Sequence, residues 1–365
     1  MEQTRTIYTR FPVLLKERPP EENPWGIKFS TMFHMANDSH LFRSRTQLEA
    51  DDWELEGNVF YRDGERCLPL YEGKMISHFD HRFGSYEGLP QGDSELSELQ
   101  HDNSSLLSIP RYWIHESHMP NLMRDGRKAF LGFRDVARST DIRTAIFSIL
   151  PVVPCGHKLP IVVLDPTKTC DVAYLATCFS SFMFDYIARQ KLGGTSMSYF
   201  ILKQLPVLPP SQYAAACKWG NSTSLGTWIF PRALELTYTA WDLEPFAKDG
   251  GYDGPPFRWN EERRFLLRCE LDAAYFHLYG IERDDVDYIM ETFPIVKRKD
   301  EKLYGEYRTK RVILEIFDEM QRAMETGEMY RTRLVPPPAD VAVAHEPLRD
   351  VYKAVVPGKN DTRTV

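Results

Sequence analysis

The sequence predicts an α+β fold, with a strand-rich part over residues 1–210 and a helical part over 211–330. Three observations carry this. Short apolar runs punctuated by turn residues recur before residue 210, in the spacing of hairpins. The most apolar stretch of the chain is broken by prolines into strand-sized pieces. After residue 210, apolar residues recur at three- and four-residue intervals, the period of a helix with one buried face.

In chain order, Gly57–Phe83 (GNVFYRDGERCLPLYEGKMISHFDHRF) holds short apolar runs separated by Asp63-Gly64 and Glu72-Gly73, which read as hairpin turns. Residues 87–110 turn polar and read as a surface loop or insertion. From Thr144 the run TAIFSILPVVPCGHKLPIVVL is interrupted by Pro151, Pro154, Gly156, His157, Lys158 and Pro160. This excludes a membrane span and predicts two buried strands around a turn. In CDVAYLATCFSSFMFDYIARQK, Leu175, Cys178, Phe179, Phe182, Met183 and Tyr186 share one helical face. Arg189 and Lys191 suit its last turn, and Gly193-Gly194 offers a left-handed stop. The ribbon that follows, to Pro210, alternates as an extended segment until Pro206, Pro209 and Pro210 end it. In the helical part, Asn260 caps a helix with Glu261 and Glu262 in its first turn and Gly280 as its stop. RDDVDYIMETF reads as a short helix, and Val312, Ile316, Phe317, Met320 and Met324 line another. Residues 331–365 read as a flexible tail, being proline-rich and then polar.

With 365 residues, 42% hydrophobic and 27% charged, the composition is that of a soluble globular protein. The formal charge of −7 argues against a protein that coats nucleic acid wholesale, but a local basic face is compatible with it. Six scattered cysteines without a C-x-x-C pair suggest neither a zinc module nor a disulfide framework. With no apolar core in MEQTRTIYTRF to act as a signal peptide, the expected compartment is the cytoplasm.

Nucleotide-binding glycine loops and a nucleophile elbow are absent from the sequence. His78, Asp80 and His81 in HFDHRF suggest a metal cluster, but strand alternation would split them between two faces, so hydrogen-bonding or phosphate-facing roles on a half-exposed strand are expected instead. Two basic stretches suit phosphates. Arg124–Arg143 interleaves Arg127, Lys128, Arg134, Arg138 and Arg143 with Phe130 and Phe133, and Lys297–Arg311 carries seven bases and three acids. Each reads equally as a solvated face with local ion pairs. The carboxylates of EERR and RDDVD suit helix starts.

Several stretches taken together resemble a known family. PLYEGKMISHFDHRF, FLGFRDVARSTDIRTAIFSILP, FDYIARQKLGGTSMSYFILKQLPVLPP, LELTYTAWDLEPFAKDGGYDGPPFRWNEERR, LDAAYFHLYGI and DDVDYIMETFPIVKRKDEKLYGEYRTKR are similar, in that order, to the carboxy-terminal half of large adenine-specific DNA methyltransferases. These are the Type IIG restriction-modification enzymes and the methylases of BREX and DISARM phage-defence systems. The resemblance runs from about Asn23 to about Arg322 and implies a target-recognition domain followed by a helical domain. Adenine methylation requires a glycine loop for S-adenosylmethionine and an Asn or Asp directly before Pro-Pro-Tyr or Pro-Pro-Phe. Here Asn23-Pro24-Trp25 has one proline, and Gly254 stands before Pro255-Pro256-Phe257.

The resemblance therefore implies a chain without its own cofactor. S-adenosylmethionine is expected on a catalytic methyltransferase subunit or missing domain, and double-stranded DNA is expected between the two. The candidate DNA-binding residues are Lys74 and Arg82 near turns, Arg134 and Arg138, and Thr195, Ser196 and Ser198 after the glycine pair. Lys203 joins them deeper in the ribbon, where it and Gln204 also read as structural. The alternative is a scaffold that docks a methylase, helicase or nuclease without reading DNA. A hidden nuclease is the remaining alternative, with Asp80 as its test position.

Overall fold

The computed structural model describes residues 2–89, 95–220 and 223–347. Its strands are β1 (Lys28–Ser30), β2 (Glu54–Glu56), β3 (Val59–Arg62), β4 (Glu65–Pro69), β5 (Gly84–Ser85), β6 (Ser97–Glu98), β7 (Trp113–His115), β8 (Phe130–Phe133), β9 (Phe147–Leu150) and β10 (Ile161–Val163). The helices are α1 (Glu2–Arg10), α2 (Arg45–Ala50), α3 (Thr169–Ser180), α4 (Phe182–Lys191), α5 (Tyr199–Leu202), α6 (Pro210–Ala214), α7 (Leu225–Thr237), α8 (Glu244–Asp249), α9 (Glu261–Leu278), α10 (Arg283–Glu291), α11 (Pro294–Tyr304) and α12 (Arg308–Thr326). The predicted α+β class is thus what the chain adopts. No helix among the described residues is long and apolar enough to cross a membrane.

Two antiparallel four-stranded sheets are formed, in the orders β2-β3-β4-β7 and β1-β10-β8-β9, with a separate β5-β6 pair. The hairpin at Asp63-Gly64 forms as expected: both residues take positive φ, and Arg62 pairs with Glu65. Glu72-Gly73 does not make a second hairpin; Gly73–Met75 is a single 3-10 turn. Both proline-bounded runs are buried strands, but β8 lies between β9 and β10 in the sheet.

The second sheet is buried on both faces. Leu131, Phe133, Phe147, Ile149 and Val162 point into a large core with the helices, whereas Phe130, Leu150 and Ile161 meet Tyr71, Met75 and Leu159 on the other face. The large core also includes Phe179, Leu234, Leu271 and Ile313. Residues on both sides of the expected boundary at 210 therefore share one core.

Caps explain where the long helices begin and end. Asn260 Oδ1 accepts from the Arg263 N–H at 2.9 Å, starting α9 as expected. Gly280, Gly305 and Gly327 take positive φ after α9, α11 and α12. The predicted helix over Cys170–Lys191 is instead two. Ser181 adopts an extended conformation and its Oγ accepts from the Phe184 N–H at 3.1 Å, ending α3 and capping α4.

Further differences follow from tertiary contacts. Neither Gly193 nor Gly194 is left-handed, and Leu192, extended, closes α4. The ribbon is not a strand: Tyr199–Leu202 makes one helical turn, and the segment joins Val13 through Pro206. In the polar stretch 87–110, residues 90–94 lie outside the described residues, while Ser104 and Ser108 are buried. The expected tail is held in part: Leu334 and Ala344 are buried, and Arg263 donates to the carbonyls of Pro336 and Pro337. Residues 348–365 lie outside the described residues.

One buried histidine gives the fold a pH dependence. His277 on α9 stacks on Phe317 of α12 at 3.7 Å, and its Nε2–H donates to the Phe317 carbonyl at 2.9 Å. Burial pushes its pKa down to about 4, partly offset by that hydrogen bond. The folded state keeps the ring neutral where the unfolded chain protonates it. Stability is therefore complete above the unfolded value near 6.5 and is lost as pH falls towards about 4. Denaturation at stepped pH is expected to show His277→Gln losing about 3 kcal/mol less than the native chain across this window. Parallel pH profiles for the two proteins would contradict it.

Candidate functional site

Gly73 sets up the site through a close approach. A Cβ at this position would lie 2.5 Å from the Lys158 carbonyl oxygen, so only glycine lets the 73–75 turn sit against the 156–158 turn. Between these turns and the end of β8 lies a cavity of about 360 Å³, lined by Lys74, Arg134, Val136, His157 and Lys158 among others. Two residues expected from the sequence, Lys74 and Arg134, thus meet at one place, joined by Lys158.

Each cation is held differently. Arg134 Nε donates to the Ile76 carbonyl at 2.8 Å, and its guanidinium lies 5.5 Å from the Phe83 ring. Burial pulls its pKa below the usual arginine value, against the attraction of Asp80 and Asp141. Lys74 Nζ lies 5.1 Å from the Tyr86 ring, which Arg111 also approaches at 4.8 Å. Tyr86 in turn donates to Glu72 at 3.3 Å. Lys158 is exposed and pairs with Asp135 at 2.6 Å. His157 stacks on His34 at 4.2 Å, and its Nδ1 accepts from the Met35 N–H at 3.4 Å. Burial, and then His34 and Lys158, pull the His157 pKa down.

The ribbon after α4 packs on the 135–137 segment, whose Val136 lines this cavity. The Met197 N–H donates to the Asp135 carbonyl at 2.7 Å, the Ala137 N–H donates to the Thr195 carbonyl at 3.1 Å, and Ser196 Oγ bonds the Asp135 carboxylate. Thr195 and Arg138 are exposed beside Val136, which is 60% exposed. Arg138 forms no ion pair among the described residues; its N–H donates to Asp141 and its carbonyl accepts from Thr144. The cations Lys74, Arg134, Arg138 and Lys158 stand here among the carboxylates of Glu72, Asp80, Asp135 and Asp141.

The other candidates lie apart from this group. Arg82 is a correction. It is wholly buried, and its guanidinium donates to the carbonyls of His101, Asn103, Leu106 and Thr239 at 2.7–3.1 Å. Both its Nη atoms are engaged by main chain and its Nε is sealed from solvent, which leaves no donor to reach a phosphate. Lys203 pairs with Glu17 at 2.5 Å and lies within 6 Å of the rings of Phe29, Tyr199 and Phe200, beside a different cavity. Ser198 is half-buried and precedes α5 without a side-chain cap bond.

HFDHRF also differs from the expected half-exposed strand. It is a buried bend in which Phe79 takes a positive φ of 54°. His81 pairs with Asp242 at 2.9 Å and Asp80 with His101 at 3.0 Å. His101 stacks on Trp259 at 3.7 Å, and Arg264 lies 3.4 Å from that ring. The motif ties the first part of the chain to the helices. Lys158 and His157 escaped the sequence reading because they stood there as turn punctuation between Pro154 and Pro160; a basic pair inside a turn was the available signal.

Comparisons with family models, with curated proteins and with solved structures give no match to this chain.

Proposed function

We propose that the chain is the DNA-sequence-recognition component of an adenine-specific DNA methyltransferase acting in a restriction-modification or phage-defence system. The observation that carries the reading furthest is the gathering of Lys74, Arg134 and Lys158 around one cavity, with the exposed Arg138 and Thr195 in the two chain segments that pair at Val136 and Ser196. Cations in this arrangement suit phosphates on either side of a groove, and phosphate contacts fix register on the duplex. Ser196 is engaged by Asp135, so its support is indirect: it holds the ribbon that presents Thr195. The resemblance supplies the rest of the proposal. A catalytic subunit or domain bearing S-adenosylmethionine stands opposite, this chain reads base edges, and the partner extrudes the adenine.

A second reading, a scaffold docking a methylase, helicase or nuclease without reading DNA, has its own observation. Leu303 and Tyr304 at the end of α11 are 71% and 51% exposed, and Tyr288 on α10 is 52% exposed.

A mobility-shift titration of duplex DNA, with and without the methyltransferase subunit, separates the two. Lys158→Glu combined with Arg138→Glu is expected to weaken binding at least about tenfold and to flatten the salt slope by about 0.9 per lost phosphate contact. Binding that ignores both charge reversals favours the scaffold, and absence of sequence-dependent binding in either setting removes the recognition reading.

A further inference from the structure

A second cavity, of about 220 Å³, lies where the 78–79 bend, the break between α3 and α4, and α9 meet. It is separate from the cavity of the proposed DNA face and does not depend on that reading. Three polar atoms of its lining have no partner among the described residues. Both ring nitrogens of His78 and the Ser180 hydroxyl are buried without a hydrogen-bond partner among the described residues. Leaving such groups unpaired costs about 1–3 kcal/mol each, so the site is suited to a molecule that satisfies them.

One cation of the lining is left without an ion-pair partner among the described residues. Arg143 is already committed: Nε donates to Asp185 at 2.6 Å and Nη2 to the Ser180 carbonyl at 2.6 Å. Arg268 also lines the cavity, is half-buried and forms no ion pair among the described residues. His78 is held neutral by burial and by the nearby Arg143 and Arg268, so its ring has one N–H to give. Asp272 accepts from the Phe182 N–H at 2.7 Å, and burial pushes its pKa up to about 6 against the pull of Arg143 and Arg268. Cys269, the remaining titratable group of the lining, stays a neutral thiol because burial raises its pKa well above the usual value. Phe79, Phe182 and Phe265 supply aromatic wall. The volume is below the ~300–1,000 Å³ of sites for drug-sized ligands, which limits the occupant to a small molecule.

We propose that this cavity binds a small organic anion, an aromatic or apolar body carrying one carboxylate or phosphate, with Arg268 as charge partner and His78 and Ser180 as hydrogen-bond donors. The aromatic walls hold the body, and the guanidinium fork holds the anionic head. Asp272 opposes the ligand when ionised and stops opposing it when protonated, so binding tightens on acidification towards about pH 6.

The test is calorimetric titration of the full chain with benzoate and, separately, phenyl phosphate, which distinguishes a carboxylate from a phosphate head. Saturable binding of at least one probe is expected, weakened about tenfold by Arg268→Gln and unchanged by Arg298→Gln, an exposed arginine of α11 outside the cavity. Affinity is expected to be several-fold higher at about pH 6 than at about pH 7.5, with the difference abolished in Asp272→Asn. Circular dichroism melts establish that each variant is folded; if Arg268→Gln unfolds, Ser180→Ala takes its place, with a smaller loss expected. No saturable binding of either probe at tens of millimolar means that the cavity holds water only and overturns the proposal. Equal loss in Arg298→Gln also overturns it, by showing non-specific attraction.

Discussion

Glu270→Ala is expected to destabilise the fold by about 3–5 kcal/mol, the range for breaking a buried ion pair by removing one partner. Glu270 is fully buried on α9, and its two oxygens serve four groups. Oε2 accepts from Arg232 Nε at 2.8 Å, and Oε1 from the Tyr330 hydroxyl at 2.9 Å, the Thr332 hydroxyl at 2.6 Å and the Arg333 N–H at 3.1 Å. Its loss strands the Arg232 guanidinium, itself buried, with only the Trp228 carbonyl and ring as neighbours of note. Three donors from residues 330–333 are stranded with it. Chemical denaturation measures the loss, and limited proteolysis is expected to show new cleavage near residue 330. A loss below about 1 kcal/mol would mean that these groups find other partners or water at little cost.

Arg82→Lys is expected to cost about 3 kcal/mol while leaving unchanged the duplex binding that the proposed function calls for. Four carbonyl oxygens, three from the 101–106 segment and one from Thr239, converge on the Arg82 guanidinium. Lysine preserves the charge but offers a point donor in place of a planar fork, so it leaves some of these carbonyls unsatisfied inside the protein. Denaturation midpoints and mobility shifts on the same variant separate the two roles. Lost affinity at unchanged stability would return Arg82 to the candidate DNA-binding residues and contradict its buried role.

The contrast between Arg82 and Arg134 shows what the sequence could convey. Each is an arginine beside a phenylalanine near a turn, yet one is sealed by main chain from residues 101, 103, 106 and 239 and the other borders a cavity. Those partners lie up to 157 residues away, which no local pattern reports. Local signals did succeed where the physics is local. The Asn260 cap, the Gly280 stop and the Asp63-Gly64 hairpin each depend on neighbours within a few residues. Periodicity failed at Ser181 because the apolar spacing continues across it while the serine hydroxyl captures a backbone N–H. It failed again from Tyr199 to Leu205, where alternation was read over too few residues to exclude a single helical turn.

The segment after α12 has a consequence for synthesis. The Ala339 N–H reaches buried Glu235 at 2.8 Å, His345 reaches the Pro256 carbonyl at 2.8 Å, and Arg258 reaches the Val343 carbonyl at 3.0 Å. With the donors to Glu270, this segment completes the polar groups of helices made some sixty to a hundred residues earlier. On the ribosome, α7 and α9 emerge with their buried carboxylates incompletely matched. The native pairing of the buried carboxylates on α7 and α9 is therefore complete only once the chain through Ala339 is in place.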